Sequence, residues 1–407
     1  MGVAFLCYLV DTGIVFYSFG TILATIVAAE GWSRAGLGVA YSVAQVMSAV
    51  YAPWVGRLVE RRGPRFVQLL GTVVLAGGLA LLGTARGVLH FDLVMGLLVA
   101  LGATCLGGIT SNTAIASWFS TGRGRALGIA TAGISMGGVV FVPLTHALIE
   151  RLGWRGAFGV LGVIVLVVLV PPIALLMETE GGRAAAGMSA DERAALEREM
   201  RLSVSPREAF ASANFARLAF ALSISGAALA VVLLHQITFM VDRGLGERLA
   251  SWMLGATAGM GVVGKLGFGW LLDRFDQRRV AGLCFVLQSV GIGLLLLTRG
   301  PWMLAVFVAV YGFAMGGNAT LQATLVADCF GRAHYAAIFG RLLAFSVGLQ
   351  AVAVPLAGWL RDRTGAYEPI FATLGAATLL SAVAAQRLTF LRYAGSEAET
   401  PAIIGAG

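Results

Sequence analysis

The residue with the clearest chemical potential is Lys265, inside the apolar, glycine-rich stretch Ser251 to Asp273. It is the only lysine of the chain, because every other basic side chain is arginine. About eight residues separate it from the polar end of the stretch, which is roughly 12 Å along a helix. A cation buried in a membrane helix normally faces a water-filled path and a partner. The alternative is a lysine whose ammonium reaches back to the membrane surface.

The composition indicates a protein with many membrane-spanning helices. The chain has 407 residues, of which 58% are hydrophobic and 12% are charged. Apolar runs of about 20 residues recur from end to end, and each could cross the hydrocarbon core of a bilayer. Backbone groups in lipid are satisfied within helices or closed barrels. We therefore predict an all-α membrane protein.

The net charge of +8 reflects membrane topology rather than a nucleic-acid partner. Arginines concentrate in the segments that we assign to the cytoplasm, which is the positive-inside bias. We predict no nucleic-acid binding, and a location in the cell inner (plasma) membrane with both termini cytoplasmic. The first apolar run opens almost at Met1 and lacks a basic leader, so we interpret it as a retained span and not a signal peptide.

Twelve transmembrane helices are predicted, in two pseudo-symmetric halves of six. The first half is 1–177 and the second is 214–391. Between them we predict a cytoplasmic linker, 178–213, with a short amphipathic helix that begins near Ser189; residues 392–407 form a cytoplasmic tail. The predicted spans are 4–28, 34–59, 66–85, 91–118, 126–150, 154–177, 214–240, 249–272, 280–298, 301–327, 335–360 and 368–391.

The two halves repeat one loop sequence. Gly56–Arg65 follows the second span and Gly269–Arg278 follows the eighth, 213 positions later, with glycine, acid and two arginines at the same spacing. Such repeats are typical of secondary transporters, whose binding site lies near mid-membrane between the halves. We predict that acid–arginine pairs in these loops, Glu60 with Arg61 and Asp273 with Arg274, latch the cytoplasmic ends of the halves together. The alternative is that these charges are merely solvated. The predicted latch residues are Glu60, Arg61, Arg65, Asp273, Arg274 and Arg278.

This doubled G-x-L-x-[D/E]-R-x-x-x-R motif, in a chain of six plus six helices, resembles the major facilitator superfamily. More narrowly, Trp118–Gly133 is similar to the fifth-helix signature of monocarboxylate transporters. The glycine-rich eighth span resembles their bacterial branch, which includes the oxalate–formate antiporters. In that branch an arginine four residues before the loop glycine binds the substrate carboxylate. Lys265 stands four residues before Gly269, so the resemblance implies that it is the carboxylate-binding cation.

Two titratable groups are candidates for proton coupling, Asp11 and His235. Asp11 partly matches the first-helix signature of the same family, and a buried carboxylate facing a cation can alternate between an ion pair and a protonated acid. An aspartate stabilised near a helix start is the alternative. His235 could carry a proton at physiological pH or donate to a carboxylate. It lies toward the outer end of its span, so a gating or path-lining histidine is equally open.

Three uncharged polar side chains in the fourth and tenth spans lie at a depth similar to that of Lys265. They could orient a carboxylate or a hydroxyl of the substrate, or equally form hydrogen bonds between helices. Together with Lys265 and His235 they make up the predicted substrate-binding set. They are Asn112, Asn318 and Gln322.

The motifs favour a transporter over an enzyme. No Walker loop is present and no HExxH or GxSxG motif lies in a loop, while the cysteines and histidines lack metal-ligand spacing. One buried cation favours a monovalent anion, so we predict a symporter of protons and small monocarboxylates such as lactate or pyruvate. It would work by alternating access as a monomer, with no cofactor and the proton gradient as energy source. A drug–proton antiporter, an organic-anion exchanger or a receptor of the same fold stays open.

Overall fold

The computed structural model describes residues 1–32, 34–118, 123–176, 202–298 and 300–391. Within these ranges the regular elements are helices, as predicted for an all-α protein. The helices are α1 (Gly2–Glu30), α2 (34–62), α3 (64–82), α4 (88–118), α5 (123–152), α6 (154–176), α7 (Ala213–Asp242), α8 (Glu247–Arg274), α9 (Gln277–Leu296), α10 (Pro301–Phe330), α11 (Tyr335–Thr364) and α12 (Glu368–Gln386).

Two glycines separate helices that otherwise run on directly from one another. Gly63 divides α2 from α3 with a φ of 76°, and Gly153 divides α5 from α6 with a φ of 67°. Glycine adopts positive φ at little cost because it has no Cβ. The polypeptide therefore reverses direction at a single residue in both places. The repeated motifs consequently begin inside helices, since Glu60 lies in α2 and Asp273 in α8.

Nine stretches of the described helices are long and apolar enough to cross a membrane. Two of them, Val39–Leu82 and Gly124–Leu176, have 44 and 53 residues, about twice what one crossing needs. These are the stretches that Gly63 and Gly153 divide. After that division, and with α8 included, the helices correspond one for one to the twelve predicted spans. That each of the twelve crosses the membrane stays a prediction.

The linker is described only in its last part. The predicted amphipathic helix near Ser189 and the tail 392–407 lie outside the described residues. A different short helix, Pro206–Ala211, which we call the linker helix, precedes α7. Ser205 and Glu208 cap it reciprocally, and the hydrogen bonds from Ser205 hold the pKa of Glu208 below its ordinary value.

The hydrophobic clusters show where the halves join. One cluster lies within the first half, around Phe91 and Phe158, and another within the second half, around Phe307 and Phe371. Two further clusters contain residues of both halves, and one of them packs Val55 of α2 with residues of α10 and α11. The shared clusters surround the end of the molecule that carries Arg57–Arg65 and Arg274–Arg279. We call it the arginine-rich end.

Glycines allow the halves to approach closely at this end. A Cβ on Gly128 of α5 would lie 2.6 Å from the carbonyl oxygen of Lys265 in α8. A Cβ on Gly340 of α11 would lie 2.5 Å from the carbonyl oxygen of Ala52 in α2. Lys265 and Ala52 are 213 positions apart, so the two contacts are related by the internal repeat. Backbone-to-backbone packing of this kind is typical of membrane helices with small residues at the interface.

Gly316 of α10 offers a test of this packing. A Cβ there would lie 2.6 Å from the backbone nitrogen of Lys265 and would collide with the carbonyl oxygen of Gly261. Gly316→Ala should force α10 away from α8 and destabilise the protein by about 1–3 kcal/mol. Melting of the purified protein can be followed with a thiol-reactive dye, because Cys7, Cys105, Cys284 and Cys329 are free and buried.

The matched control is Gly348→Ala in α11, where nothing lies within 4 Å of an added Cβ. Alanine is the better helix former by about 1 kcal/mol, so this variant should melt at the wild-type temperature or above it. Equal melting temperatures for the two variants would contradict the close approach of α8 and α10.

Candidate functional site

Lys265 is buried, with 4% of its surface exposed, at the junction of α5, α8 and α10. Its ammonium Nζ donates a hydrogen bond of 2.7 Å to the hydroxyl Oγ of Ser135 in α5. Ser135 is itself buried. The contact joins the two halves, because α5 belongs to the first and α8 to the second.

The lysine side chain extends away from the arginine-rich end. Helix α5 runs antiparallel to α8, since Gly124 lies against Gly269 and Gly128 against Lys265. Ser135 is therefore about two turns farther from the arginine-rich end than Gly128. Helical side chains lean toward the N-terminus of their helix, which for α8 is the same direction. The geometry excludes the alternative in which the ammonium reaches back to the surface at that end.

The ammonium has a neutral partner and no acidic one within the described parts of the chain. The ion pairs among described residues do not include Lys265. A buried charge is normally paired or hydrogen-bonded, and an ammonium has three donor hydrogens. Lys265 therefore retains donor capacity that suits an anionic acceptor.

Asp11 lies where two helices depart from regular geometry. It ends the α-helical segment Gly2–Asp11, and the π-helical segment Thr12–Tyr17 follows. A Cβ on Gly107 would lie 3.6 Å from its Oδ2, and Gly107 interrupts α4 with φ −71° and ψ −153°. The carboxylate thus lies near the start of the segment Gly108–Trp118, whose positive dipole end favours an anion. No ion pair of 4.0 Å or less joins it to Lys265.

Asn112 is held by a residue that sequence reasoning missed. Its Oδ1 accepts a hydrogen bond of 2.7 Å from the hydroxyl of Tyr8, while its amide nitrogen donates to no described residue. A Cβ on Gly108 would lie 3.4 Å from the Tyr8 hydroxyl and 3.5 Å from the ring of Phe339 in α11. The Tyr8–Asn112 pair therefore faces the second half.

The two polar residues of α10 differ from each other. The amide nitrogen of Asn318 donates to the hydroxyl of Ser225 in α7, and that hydroxyl donates to Gln288 in α9. Asn318 thus belongs to a hydrogen-bond network inside the second half. Gln322 is half-buried, and its amide has no hydrogen-bond partner in the described part of the chain.

His235 is hydrogen-bonded through both ring nitrogens. Nε2 lies 3.2 Å from the carbonyl oxygen of Val354, which can only accept, so Nε2 carries a proton. Nδ1 lies 3.0 Å from the hydroxyl of Tyr367 and accepts from it in the neutral ring. The structure places His235 with α11 and the start of α12, at the end of α7 remote from the arginine-rich end. It does not bring His235 to Lys265.

Asp273 caps a helix of the opposite half. Its two carboxylate oxygens accept hydrogen bonds from the backbone nitrogens of Gly124 (2.7 Å) and Arg125 (3.0 Å), in the first turn of α5. Glu60 does the same for α11: Oε1 accepts from the nitrogen of Ala337 at 3.1 Å. Both contacts satisfy orphan N–H groups and place a negative charge at a positive helix end.

The arginines of the two repeated motifs do not pair with these acids. Arg65 donates to the carbonyl oxygen of Ala174. Arg274 and Arg278 stack on Trp270 and Phe390. Arg61 lines a cavity beside α11. Among described residues, the polar contacts that join the halves at this end thus involve the carboxylates of Glu60 and Asp273. Asp273 also lies 3.9 Å from the Nε of Arg125, which is outside the two motifs, while the arginines of the motifs point elsewhere.

At the opposite end, the ion pairs join elements of one half. Glu30 of α1 pairs with Arg155 of α6 in the first half. In the second half Asp242 pairs with Arg361 at 3.0 Å, and Arg243 pairs with Glu368 at 2.9 Å. The contacts described above thus join the halves from the arginine-rich end to Lys265.

Two residues of the site escaped sequence reasoning. Ser135 stands seven positions after Gly128, two helical turns along the same face, so the glycine that packs on Lys265 was a signal for it. Tyr8 stands three positions before Asp11 and shares its face in the same way. As for metals, no cluster of three or more His, Cys, Asp or Glu side chains occurs among the described residues.

Comparison with known proteins decides the family. The profile of the Major Facilitator Superfamily matches residues 3–261 and 218–403. The chain belongs to the Major Facilitator Superfamily. It is therefore a multi-pass membrane protein of a transporter family, and not an enzyme.

Among curated relatives, Monocarboxylate transporter 12-B of Danio rerio is 27% identical over 380 residues, covering 87% of this chain and 79% of its own. Monocarboxylate transporter 13 of Rattus norvegicus is 25% identical over 370 residues, covering 89% and 82%. YcxA of Bacillus subtilis, an uncharacterized transporter of the superfamily, is 24% identical over 365 residues, covering 86% and 85%. The predicted resemblance to monocarboxylate transporters is confirmed.

Solved structures show the same fold. The fucose:proton symporter of E. coli aligns with a TM-score of 0.71 at 15% identity, covering 96% of this chain and 99% of its own. The human organic anion transporter MFSD10 aligns with a TM-score of 0.72 at 15% identity, covering 95% and 98%. At such identities these structures establish the fold and leave the substrate open.

The two capping carboxylates generate a prediction about conformation. Glu60→Ala or Asp273→Ala removes an N-cap between the halves, which is worth about 1–2 kcal/mol. The population of molecules in which the two halves are separated at the arginine-rich end should then rise about five- to thirtyfold. Spin labels at positions 62 and 279, on a background without native cysteines, should report longer distances. Labels at 89 and 302, on the opposite end, should report shorter ones.

Asp242→Ala is the matched control, because it removes a carboxylate whose ion pair with Arg361 stays within one half. It should leave both distance distributions unchanged. A distribution for the two capping variants identical to the wild type would rule out the caps as the latch.

Proposed function

We propose that this transporter carries small monocarboxylates, such as lactate or pyruvate, together with protons. The observation that carries the proposal is the buried ammonium of Lys265, whose described partner is the neutral hydroxyl of Ser135. A carboxylate is a stronger acceptor for an ammonium than a hydroxyl is, because that hydrogen bond is charge-assisted on both sides. An incoming carboxylate can therefore replace Ser135. The names of the monocarboxylate transporter relatives support the same substrate class.

The distribution of buried charge favours a substrate with one negative charge. Among the described residues, two cations are buried, Lys265 and Arg332, and Arg332 lies between α10 and α11 rather than inside a helix. The repeat counterpart of Lys265 is Ala52, which carries no charge. A dicarboxylate would call for a second cation inside the helices, so the asymmetry of the repeat supports a monoanion.

Neutral polar groups then orient the rest of the substrate. We assign this part to Asn112 and Gln322, whose amides keep donor capacity among the described residues. Asn318 is held by Ser225, and His235 by Tyr367 and Val354. For these two to touch substrate, as sequence reasoning suggested, their present hydrogen bonds would have to break.

We assign proton binding to Asp11. It lies in a helix of the first half, near a helix break, and its carboxylate has no described ion pair. One proton on this carboxylate and one monoanion at Lys265 move no net charge across the membrane. The proton gradient then drives substrate entry without a cofactor.

The cycle that follows is alternating access by a monomer. We place the arginine-rich end and both termini in the cytoplasm of the inner membrane, on the positive-inside bias. The caps of Glu60 and Asp273 then close the cytoplasmic side, and Lys265 is reached from outside. Substrate and proton binding precede the parting of the halves at the arginine-rich end.

The direct test is uptake of labelled lactate or pyruvate into proteoliposomes under an inward proton gradient. The wild type should accumulate label, and dissipating the gradient should abolish accumulation. Lys265→Ala should reduce uptake about ten- to a hundredfold, because a hydrogen bond to a charged group is worth about 1.5–3 kcal/mol. Lys265→Arg keeps the charge and should keep part of the activity.

Arg363→Ala is the matched control, since Arg363 is an exposed cation stacked on Trp359. Absence of gradient-dependent uptake for every monocarboxylate tested would refute the substrate class and favour a drug–proton antiporter. Exchange without net accumulation would favour an organic-anion exchanger. Uptake by Lys265→Ala at the wild-type level would refute the role of Lys265 and leave the substrate class intact.

Asp11→Asn separates proton coupling from substrate binding. The amide cannot release a proton, so accumulation driven by the gradient should be lost. Exchange of internal for external substrate requires no net proton movement and should persist. Asp92→Asn, which alters a half-buried aspartate in α4, should leave both activities intact. Undiminished accumulation by Asp11→Asn would place the proton on another group.

A further inference from the structure

A basic cavity of about 450 Å³ opens at the arginine-rich end, between α2, α11 and the linker helix. It is separate from the site around Lys265 and does not depend on the proposed transport function. Both halves and the linker contribute to its wall. Its main lining residues are Pro53, Arg57, Arg61, Pro206, Phe210 and Arg341.

The cavity carries an excess of positive charge. Three arginines line it against one carboxylate, that of Glu60. That carboxylate is already occupied, because it accepts from the nitrogen of Ala337 and faces His334 at 3.9 Å. The arginines form no ion pair with a described residue. Their guanidinium groups therefore suit an external anion.

Two of the guanidinium groups are held in place. Arg341 lies over the ring of Phe210 in the linker helix, with its Cζ 4.4 Å from the ring centroid. The Nε of Arg57 donates to the carbonyl oxygen of Pro53 at 3.3 Å, which leaves its two terminal nitrogens for a ligand. Planar, preorganised guanidinium groups match the oxygens of a phosphate by paired hydrogen bonds.

The surroundings of the cavity favour a lipid as the source of that phosphate. Trp54 precedes Arg57 by one turn of α2, and Phe345 follows Arg341 by one turn of α11. Both lie farther from the arginine-rich end than the arginines do. They are 70% and 54% exposed, as side chains that face hydrocarbon would be. A headgroup phosphate in the cavity would leave its acyl chains along these two aromatic side chains.

We propose that this cavity binds the phosphate of an anionic phospholipid headgroup. The bound headgroup bridges Arg57 and Arg61 of the first half with Arg341 of the second. It therefore stabilises the conformation in which the arginine-rich end is closed. Basic pockets of this kind between membrane helices are known to suit anionic headgroups.

The test uses the delipidated full-length protein in detergent. Phosphatidylglycerol, phosphatidylcholine or inorganic phosphate is then added, bound lipid is counted by native mass spectrometry, and the melting temperature is measured in the same samples. Wild-type protein should retain phosphatidylglycerol and melt higher with it than with phosphatidylcholine. Arg57→Ala and Arg341→Ala should each weaken phosphatidylglycerol binding about tenfold.

Arg363→Ala provides the matched control. Like Arg341, Arg363 lies in α11 and stacks on an aromatic ring, that of Trp359, but it lies near the end of α11 that is remote from the cavity. This variant should bind phosphatidylglycerol like the wild type. If the other cavity variants fail to fold, Arg61→Ala is a further variant, at a position without a described ion pair. It should also bind phosphatidylglycerol about tenfold more weakly than the wild type.

The possible outcomes separate a lipid site, a site for a soluble anion and no site. Selective phosphatidylglycerol binding, lost in the cavity variants, supports the site with lipid as its source. Equal stabilisation by inorganic phosphate, lost in the same variants, supports the phosphate site but assigns it to a soluble anion. Equal binding of both lipids, or phosphatidylglycerol binding unchanged in the cavity variants, overturns the proposal.

Discussion

A single ammonium group buried between two helical halves is the constraint on which the rest of this structure depends. Removing a charge from water costs several kcal/mol unless hydrogen bonds compensate, so the backbone around Lys265 has to hold its side chain in one place. Glycines on both sides allow this: Gly128 packs against the backbone carbonyl oxygen of Lys265, and Gly316 packs against its backbone nitrogen. The ammonium meets Ser135 across the interface of the halves. The position of the buried ammonium and the relative position of the halves are therefore coupled at one residue.

The two halves have equivalent residues at the caps that join them, but they differ at the position of the buried charge, Lys265. Glu60 and Asp273 are equivalent by the repeat, and each caps a helix of the opposite half. Ala52 and Lys265 are equivalent too, yet one has a methyl group and the other a cation. The two caps are symmetric contacts between the halves, whereas two symmetric cations would repel each other and attract a dianion. This departure from symmetry is the observation behind the proposed preference for a monoanion.

Irregular helix geometry clusters on the first-half side of the site. The π-helical turn that follows Asp11 and the interruption of α4 at Gly107 lie against each other. Such departures leave backbone groups without their usual partners and often occur at functional sites. Here they bring the Asp11 carboxylate close to the start of the helical segment Gly108–Trp118. The hydrogen-bonded pair of Tyr8 and Asn112 lies beside this carboxylate.

Local patterns of the sequence were enough to determine the membrane class, the helices, the repeat and the place of Lys265 within its helix, because these depend on runs of apolar residues and on spacing along one helix. The partners of the charged groups were beyond such reasoning. Sequence spacing suggested acid–arginine pairs, but Glu60 and Asp273 cap helices of the other half, while His235 is engaged by Tyr367 and Val354. Only the tertiary structure decides which helix end or hydroxyl lies opposite a given side chain, because that depends on how distant helices pack and at which register.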